Sequence, residues 1–423
     1  MSILFYIFWK YNISVGGDTM KIIGKYGTAE VYASVVDEGT KNQIKELMDQ
    51  KFVKDLNVRI MADCHAGTGC VIGTTMEVKD CVVPNLVGVD IGCGMLCVKL
   101  GKMEIDLIKL DRFVRKKIPS DKEVYDVDQE MNVCIENMKS YEKLGGKSRH
   151  KKAIGTLGGG NHFIEIDKDD EDNLYLVIHT GSRNLGKQVC EFYMKEAKND
   201  YFRKKRTNIK SLIARYKRLG KEDKIQEGIE KLMKKYNSIN FDLVPLYGKL
   251  FEDYIYDMDI CQKYAWENRE AIASKILDYL GFKLSDFKYF HTVHNYINMD
   301  DMILRKGSIA AYSGEEVLIP INMRDGSILA VGKSNEEYNF SAPHGAGRIL
   351  SRSKANQTIT LEQFKESMKG IYSTSVQQDT IDESPFAYKS IDDIIPNILP
   401  TVDIVKIIKP IYNFKACKRR SRD

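Results

Sequence analysis

The chain has 423 residues, 43% hydrophobic and 29% charged, which exceeds the usual single domain and excludes a disordered polymer. Its formal net charge of +5 permits a nucleic-acid partner without requiring one. Nine scattered cysteines, with no C-x-x-C pair and no small-domain spacing, exclude a zinc ribbon and a disulfide scaffold, and imply reduced thiols in the cytoplasm.

The apolar stretch Met1–Trp9 is interrupted by Lys10, follows no basic segment and is too short to span a bilayer. Residues 1–19 are expected to be a dispensable extension, with Met20 the functional start, and no membrane association is expected. Residues 20–100 alternate short β-branched runs with Gly-rich turns, the pattern of strands and tight connections. Residues 105–145 are predicted helical from Ile105, Leu107, Ile108 and Leu110. Residues 174–180 form a continuous apolar run ending in His179, as expected of a buried strand that delivers a side chain to its rim.

Residues 190–236 change character. Ile209, Leu212, Ile213 and Tyr216, then Ile225, Ile229, Leu232 and Tyr236, follow helical spacing. Arg203–Arg206 and Lys217-Arg218 lie among them, giving either a solvated helix face or a surface for a phosphate backbone. Residues 190–275 are expected to be a mainly helical insertion in a body spanning 20–416. Strands and turns return over 307–345, a helix is predicted over 359–372, and 417–423 is a basic tail.

Seven histidines are few enough to weigh one by one. His162, His179, His294 and His344 sit in Gly- or Asn-rich surroundings, where a bent backbone presents a side chain, whereas His150, among Lys and Arg, is expected at the surface. Cys93 is flanked by Gly92 and Gly94, three residues after Asp90. Alone, that motif suits a small buried residue in a turn as well as it suits a metal thiolate. With imidazoles from distant strands it would give a mixed S/N/O donor set, which leaves zinc, manganese and cobalt open.

The blocks Asp63–Gly69, Pro84–Met95, Gly158–Glu165, His179–Gly186, Arg305–Gly307, His344–Arg348 and Asp382–Lys389, in that order, resemble the RtcB family of RNA-splicing ligases from about Met20 to Lys415. The resemblance implies a mixed α/β (α+β) fold in one compact catalytic domain, with β-sheets around a metal centre. It implies two Mn2+ ions bridged by Cys93, one held also by His179 and His294, the other by Asp90 and His162. His344 matches the nucleophile that becomes guanylylated by GTP, with Gly345, Ala346 and Gly347 beside it at the nucleotide. Asn161 matches a phosphate contact, and Glu165, Tyr388 and Lys415 match guanine contacts. Arg183 and Arg348 are expected to contact RNA phosphate or the triphosphate.

The activity so implied joins an RNA 3′-phosphate or 2′,3′-cyclic phosphate end to a 5′-hydroxyl end, in RNA repair or tRNA splicing, with an archease-like activator as a candidate partner. The alternative is a metal-dependent phosphoesterase or nucleotidyltransferase of the same fold without ligation. A non-enzymatic RNA-binding protein, the third reading, would need neither His344 nor the metal set. One departure stands out: many relatives carry Pro-Gly-Ser-Met-Gly where this chain has Pro320-Ile321-Asn322-Met323-Arg324-Asp325-Gly326-Ser327, the mark of a subfamily acting on breaks other than tRNA exon ends.

Overall fold

The computed structural model describes residues 19–33, 36–236 and 239–417. The extension before Thr19 and the tail after Cys417 lie outside the described residues. The fold is mixed α/β, built on two large sheets. A six-stranded sheet has the order Met20–Ile23, Thr28–Val31, Val58–His65, Ile72–Glu77, Ile303–Lys306, Asn295–Ile297. A seven-stranded antiparallel sheet has the order Lys288–Val293, Gly94–Gly101, Leu174–Thr180, Phe163–Lys168, Val402–Lys415, Gly326–Gly332, Glu316–Asn322.

The alternation of side chains along a strand explains what each face of the second sheet does. Leu96, Val98, Ile164, Ile166, Leu176, Ile178, Tyr412 and Phe414 point one way. They pack on Leu110 and Val114 of the helix Leu107–Lys117 and on Ile272, Ile276 and Leu277 of the long helix Lys249–Leu280. Met95, Cys97, Phe163, Tyr175 and Val177 point the other way, against Leu318, Leu329 and Ile408. The register pairs Phe163 with both His179 and Lys415, and Glu165 with both Val177 and Asn413. His179, Glu165, Asn413 and Lys415 therefore share that second face. All seven residues of Leu174–Thr180 are buried, as the apolar run anticipates.

Three sequence expectations need correction. The helix expected over 105–145 is confined to Leu107–Lys117, where Asp106 caps the amide of Lys109. Ile118 precedes Pro119 and takes an extended conformation, because the proline ring excludes the α region for the residue before it. Beyond it come turns and the single 3-10 turns Ile135–Asn137 and Tyr141–Lys143. His150 is not at the surface: the short helix Lys147–Ala153 places His150 and Ala153, three apart, on its inner side, and burial holds the imidazole pKa down. The helix expected over 359–372 is Leu361–Ser367, opened by a Thr360/Gln363 capping box.

The helical region comprises Arg183–Arg218, Ile225–Tyr236 and Lys249–Leu280. The last of these is central to the body, burying Tyr254, Met258, Tyr264 and Arg269 among others. Among the described residues no helix is long and apolar enough to cross a membrane.

Candidate metal centre

Two groups of ligating side chains meet at the end of the buried strand. Cys93, His179 and His294 form one, Asp90, Cys93 and His162 the other, and within each the ligand atoms lie within 4.8 Å of one another. Cys93 belongs to both, so a single sulfur would be shared by two cations. Its Sγ is 3.5 Å from His162 Nε2 and 3.4 Å from His179 Nε2, and Asp90 Oδ2 is 3.1 Å from His162 Nε2.

The turn carrying Asp90 and Cys93 is fixed by its glycine. Gly92 has φ of +75°, and a Cβ there would lie 2.9 Å from Ala265 Cβ and 3.0 Å from Gln262 Cα of the long helix. The Gly92 amide donates to Asn295 O at 2.7 Å, and the His294 amide donates to Cys93 O at 2.9 Å, tying His294 to the turn. From behind, the fully buried Arg269 donates to Gly92 O (2.8 Å) and Thr180 O (2.9 Å), the carbonyls next to Cys93 and His179. Asn268 joins the same turns by donating to Gly181 O and Thr156 O and accepting from the amides of Gly155 and Thr156.

The imidazoles are oriented by backbone acceptors. His162 Nδ1 donates to Leu157 O (3.0 Å) and His179 Nδ1 to Asn161 O (3.2 Å), which leaves each Nε2 with its lone pair toward Cys93. His294 Nδ1 is buried with no hydrogen-bond partner among the described residues, which suits a nitrogen reserved for a cation. Burial, reinforced by neighbouring imidazoles and cations, holds the pKa values of His179 and His294 well below the usual value, so both stay neutral as ligation requires. Burial and the Asp90 charge push the Cys93 thiol well up, and a thiolate here calls for a bound cation. Thiolate, imidazole and carboxylate together are a donor set that could hold transition-metal ions.

The histidines form a row. Ring centroids are 5.2 Å apart from His162 to His179, 5.2 Å from His179 to His294, and 4.8 Å from His294 to His344. Asp63 holds the last member: its Oδ2 accepts from His344 Nδ1 at 2.6 Å and from the His344 amide at 3.1 Å. That bond places the proton on Nδ1 and leaves Nε2 as a nucleophilic lone pair.

His344 and the candidate metal ligands His179 and His294 open on a cavity of about 690 Å3. Asn161, Glu165, Gly345, Ala346, Gly347, Arg348, Tyr388 and Lys415 line it together. Burial raises Glu165 to about 7, against the opposing bond from Asn413. Lys415 donates to Asn161 O and Glu383 at 3.1 Å each, and the Tyr388 hydroxyl donates to Glu383 at 2.8 Å. Burial would raise Glu383, but Lys415, Arg352 and Arg348 outweigh it and hold the carboxyl at about 2. Arg183 does not line this cavity. It donates to Thr156 Oγ1 (2.9 Å) and Asp121 O (2.8 Å), beneath Gly158.

Sequence reasoning did not single out Asp63, Glu383, Arg269 or Asn268. The first two lie inside the Asp63–Gly69 and Asp382–Lys389 blocks, which is the signal that marks them. The two helical residues carry no local signal.

The family model described as tRNA-splicing ligase RtcB matches residues 43–132 and 109–416. The chain is 26% identical over 398 residues to the RNA-splicing ligase RtcB of Escherichia coli K12, covering 85% of this chain and 90% of the relative. It is 25% identical over 429 residues to the tRNA-splicing ligase RtcB of Aeropyrum pernix (79% and 82% covered), and 26% identical over 469 residues to that of Methanococcus maripaludis (89% and 91% covered).

Proposed function

The chain belongs to the RtcB family, and from that membership we propose that it is a GTP- and Mn2+-dependent RNA ligase acting through a guanylylated His344. The supporting observation is the Asp63–His344 pair, whose imidazole lines the cavity with its ring centroid 4.8 Å from that of His294. A histidine whose Nδ1 proton is held by a carboxylate turns its Nε2 lone pair toward the electrophile, and the same carboxylate stabilises the cationic ring once Nε2 has reacted.

His344 Nε2 attacks the α-phosphorus of GTP, forming an N–P bond as the P–O bond to pyrophosphate breaks. An RNA 3′-phosphate oxygen then attacks the same phosphorus, breaking the N–P bond and freeing His344. A 2′,3′-cyclic end first takes up water to become that 3′-phosphate. The 5′-hydroxyl of the second RNA attacks the activated 3′-phosphate, forming the phosphodiester and expelling GMP. Asp90, Cys93, His162, His179 and His294 would hold Mn2+, which would supply positive charge to offset the crowded phosphates. Lys415 and Arg348 add fixed cations in the cavity, and Glu165 is the acceptor for the guanine N1 and N2 hydrogens.

Incubation with radiolabelled GTP and Mn2+ tests the reading. An acid-labile GMP adduct on the wild type, absent in His344→Ala, is expected. No adduct with any divalent metal would refute guanylylation. An adduct without joined RNA would leave the nucleotidyltransferase alternative standing.

A further inference from the structure

The helix Arg183–Arg218 begins at the metal centre and leaves the body. Gly186, one turn in, packs so closely on Ser182 and Ile91 that a Cβ there would lie 2.2 Å from Ser182 Oγ and 3.1 Å from Ile91. Every buried residue of this helix, from Leu185 to Ala197, falls in its first half. At 1.5 Å per residue the helix is about 54 Å long, and its second half projects for roughly 30 Å.

Beyond Ala197 its neighbour is the helix Ile225–Tyr236. The two meet closely at Gly228, where a Cβ would lie 2.7 Å from Tyr216 and 3.2 Å from Leu212, and Tyr201 donates to Tyr236 O at 2.9 Å. The result is a two-helix arm joined firmly at its root to the catalytic turn.

The arm concentrates charge. Residues 201–234 hold twelve Lys and Arg against four Asp and Glu, a net +8 in a chain whose total is +5, so the remainder carries −3. A helix face kept merely soluble pairs opposite charges at i, i+4. This one does not. Arg203, Lys210 and Lys217 follow one another at intervals of seven, with Arg206 between the first two, so all four occupy a single stripe. Leu212 and Tyr216, which meet the second helix, lie on the opposite side by the same helical geometry. All four basic residues are exposed. Arg203 pairs with Asp200, but Arg206, Lys210 and Lys217 have no carboxylate within 4.0 Å among the described residues. The helix dipole accounts for basic residues in the last turn and not for Arg203 and Arg206, more than two turns earlier.

At the near end of the stripe, a groove of about 970 Å3 is lined by Phe202, the cations Arg203, Lys205 and Arg206, and the carboxylates Glu196 and Asp200. Phe202 is 43% exposed, beside Phe241 at 37% and with ring centroids 5.5 Å apart. Exposed aromatic rings interleaved with cations suit unpaired bases and a phosphate backbone together.

We infer that this arm is a binding surface for the single-stranded RNA flanking the break, holding the strand at the stripe Arg203–Arg206–Lys210–Lys217 while its end occupies the cavity. The inference rests on the RNA ligase reading and adds to it where the substrate lies outside the active site. Arg203 is about 30 Å from Arg183 along the helix axis, so only RNA that extends well beyond the break reaches the stripe.

The test uses the full chain with Arg206→Glu, Lys210→Glu and Lys217→Glu combined, and a second triple variant to Gln. Fluorescence anisotropy of a long single-stranded RNA is measured across a salt series, and compared with an oligonucleotide that fills only the cavity. With three cations removed from the path of a single-stranded phosphate backbone, the slope of log K against log salt is expected to flatten by about 2, with affinity at ~0.1 M salt about a hundredfold weaker. That is the expectation for the Gln variant; the Glu variant, which reverses the three charges, should weaken binding further, and the short oligonucleotide should bind all three proteins alike. RNA-free formation of the GMP adduct is read in parallel. It is expected to be unchanged in both variants, and its absence in the wild type would count against the ligase reading rather than the arm. Unchanged long-RNA affinity and slope in the Glu variant would overturn the inference and leave the stripe to an acidic protein partner. Equal weakening for short and long RNA would overturn it too.

Discussion

Replacing Asp63 with alanine separates a positioned nucleophile from a mere histidine. Asp63 is fully buried, and one oxygen, Oδ2, accepts both the Nδ1 proton and the amide of His344, while Oδ1 has no partner among the described residues. Alanine removes both bonds and the charge that faces the ring when Nε2 becomes bonded to phosphorus. A hydrogen bond to a charged group contributes about 1.5–3 kcal/mol, so adduct formation should slow by about ten- to a hundredfold. Asparagine behaves differently, because its single carbonyl oxygen can still accept both donors and only the charge is lost. Its penalty should be the smaller of the two. The assay is single-turnover formation of the GMP adduct, with thermal melting as a control for folding. Adduct formation at the wild-type rate in a folded Asp63→Ala protein would refute the assignment of Asp63 as the group that orients His344.

Three further outcomes follow from the same geometry. Burial raises the Glu165 pKa to about 7, so the carboxylate that would accept guanine hydrogens is present above that pH and lost below it. The KM for GTP should rise as pH falls through 7, and Glu165→Gln should be weaker and flat with pH; a pH-independent wild-type KM refutes this. Gly158 has φ of +84°, and a Cβ there would lie 1.9 Å from Arg183 Nη1 and 2.8 Å from His162 Nδ1. Gly158→Ala should therefore cost about 1–3 kcal/mol and weaken Co2+ binding seen by absorbance, whereas unaltered melting and titration would show that the turn yields freely. Arg269→Met leaves the buried carbonyls of Gly92 and Thr180 unpaired, at about 1–3 kcal/mol each, and should shift the urea midpoint and lower metal affinity together. An unchanged midpoint would remove Arg269 from the scaffold of the centre.

What the sequence made legible follows from how local each signal is. The run Leu174–Ile178 closing on His179 is a buried strand in sequence and structure alike, because apolar residues on both faces need a covered sheet on both sides. The glycines around Cys93 mark a turn, and Gly92 is indeed pressed against the long helix. The arm is visible through its periodicity. Asp63 and His344 are 281 residues apart, and no local pattern announces that one carboxylate serves that ring. Arg269 looks like any basic residue on an amphipathic helix until the sheet is packed over it. The expectation of helix past Ile118 fails because it carries the early periodicity across Pro119, where the backbone cannot follow.

The loop that departs from the family pattern illustrates how a wall can change while its support is kept. Asn322 Oδ1 accepts from the amides of Arg324 (3.0 Å) and Asp325 (2.9 Å), a side-chain turn that closes the hairpin between Glu316–Asn322 and Gly326–Gly332. Gly326, at φ +80°, is the one position of this turn with no room for a side chain, since a Cβ would lie 2.0 Å from Ile408 O. Just before the turn, Pro320 O accepts from the amide of Ala346 at 3.1 Å. That bond holds the segment following His344 whichever side chains occupy 321–323. Pro320, Ile321, Asn322 and Met323 all line the cavity. Substitution there is expected to alter what the cavity admits, read as a change in KM for nucleotide or RNA, while the Asp63–His344 pair and the rate of adduct formation at saturating GTP stay in place. Replacing Ile321 and Met323 with smaller residues should therefore move KM and spare the saturating rate. A collapse of that rate with KM unchanged would show instead that the loop positions His344 through its side chains.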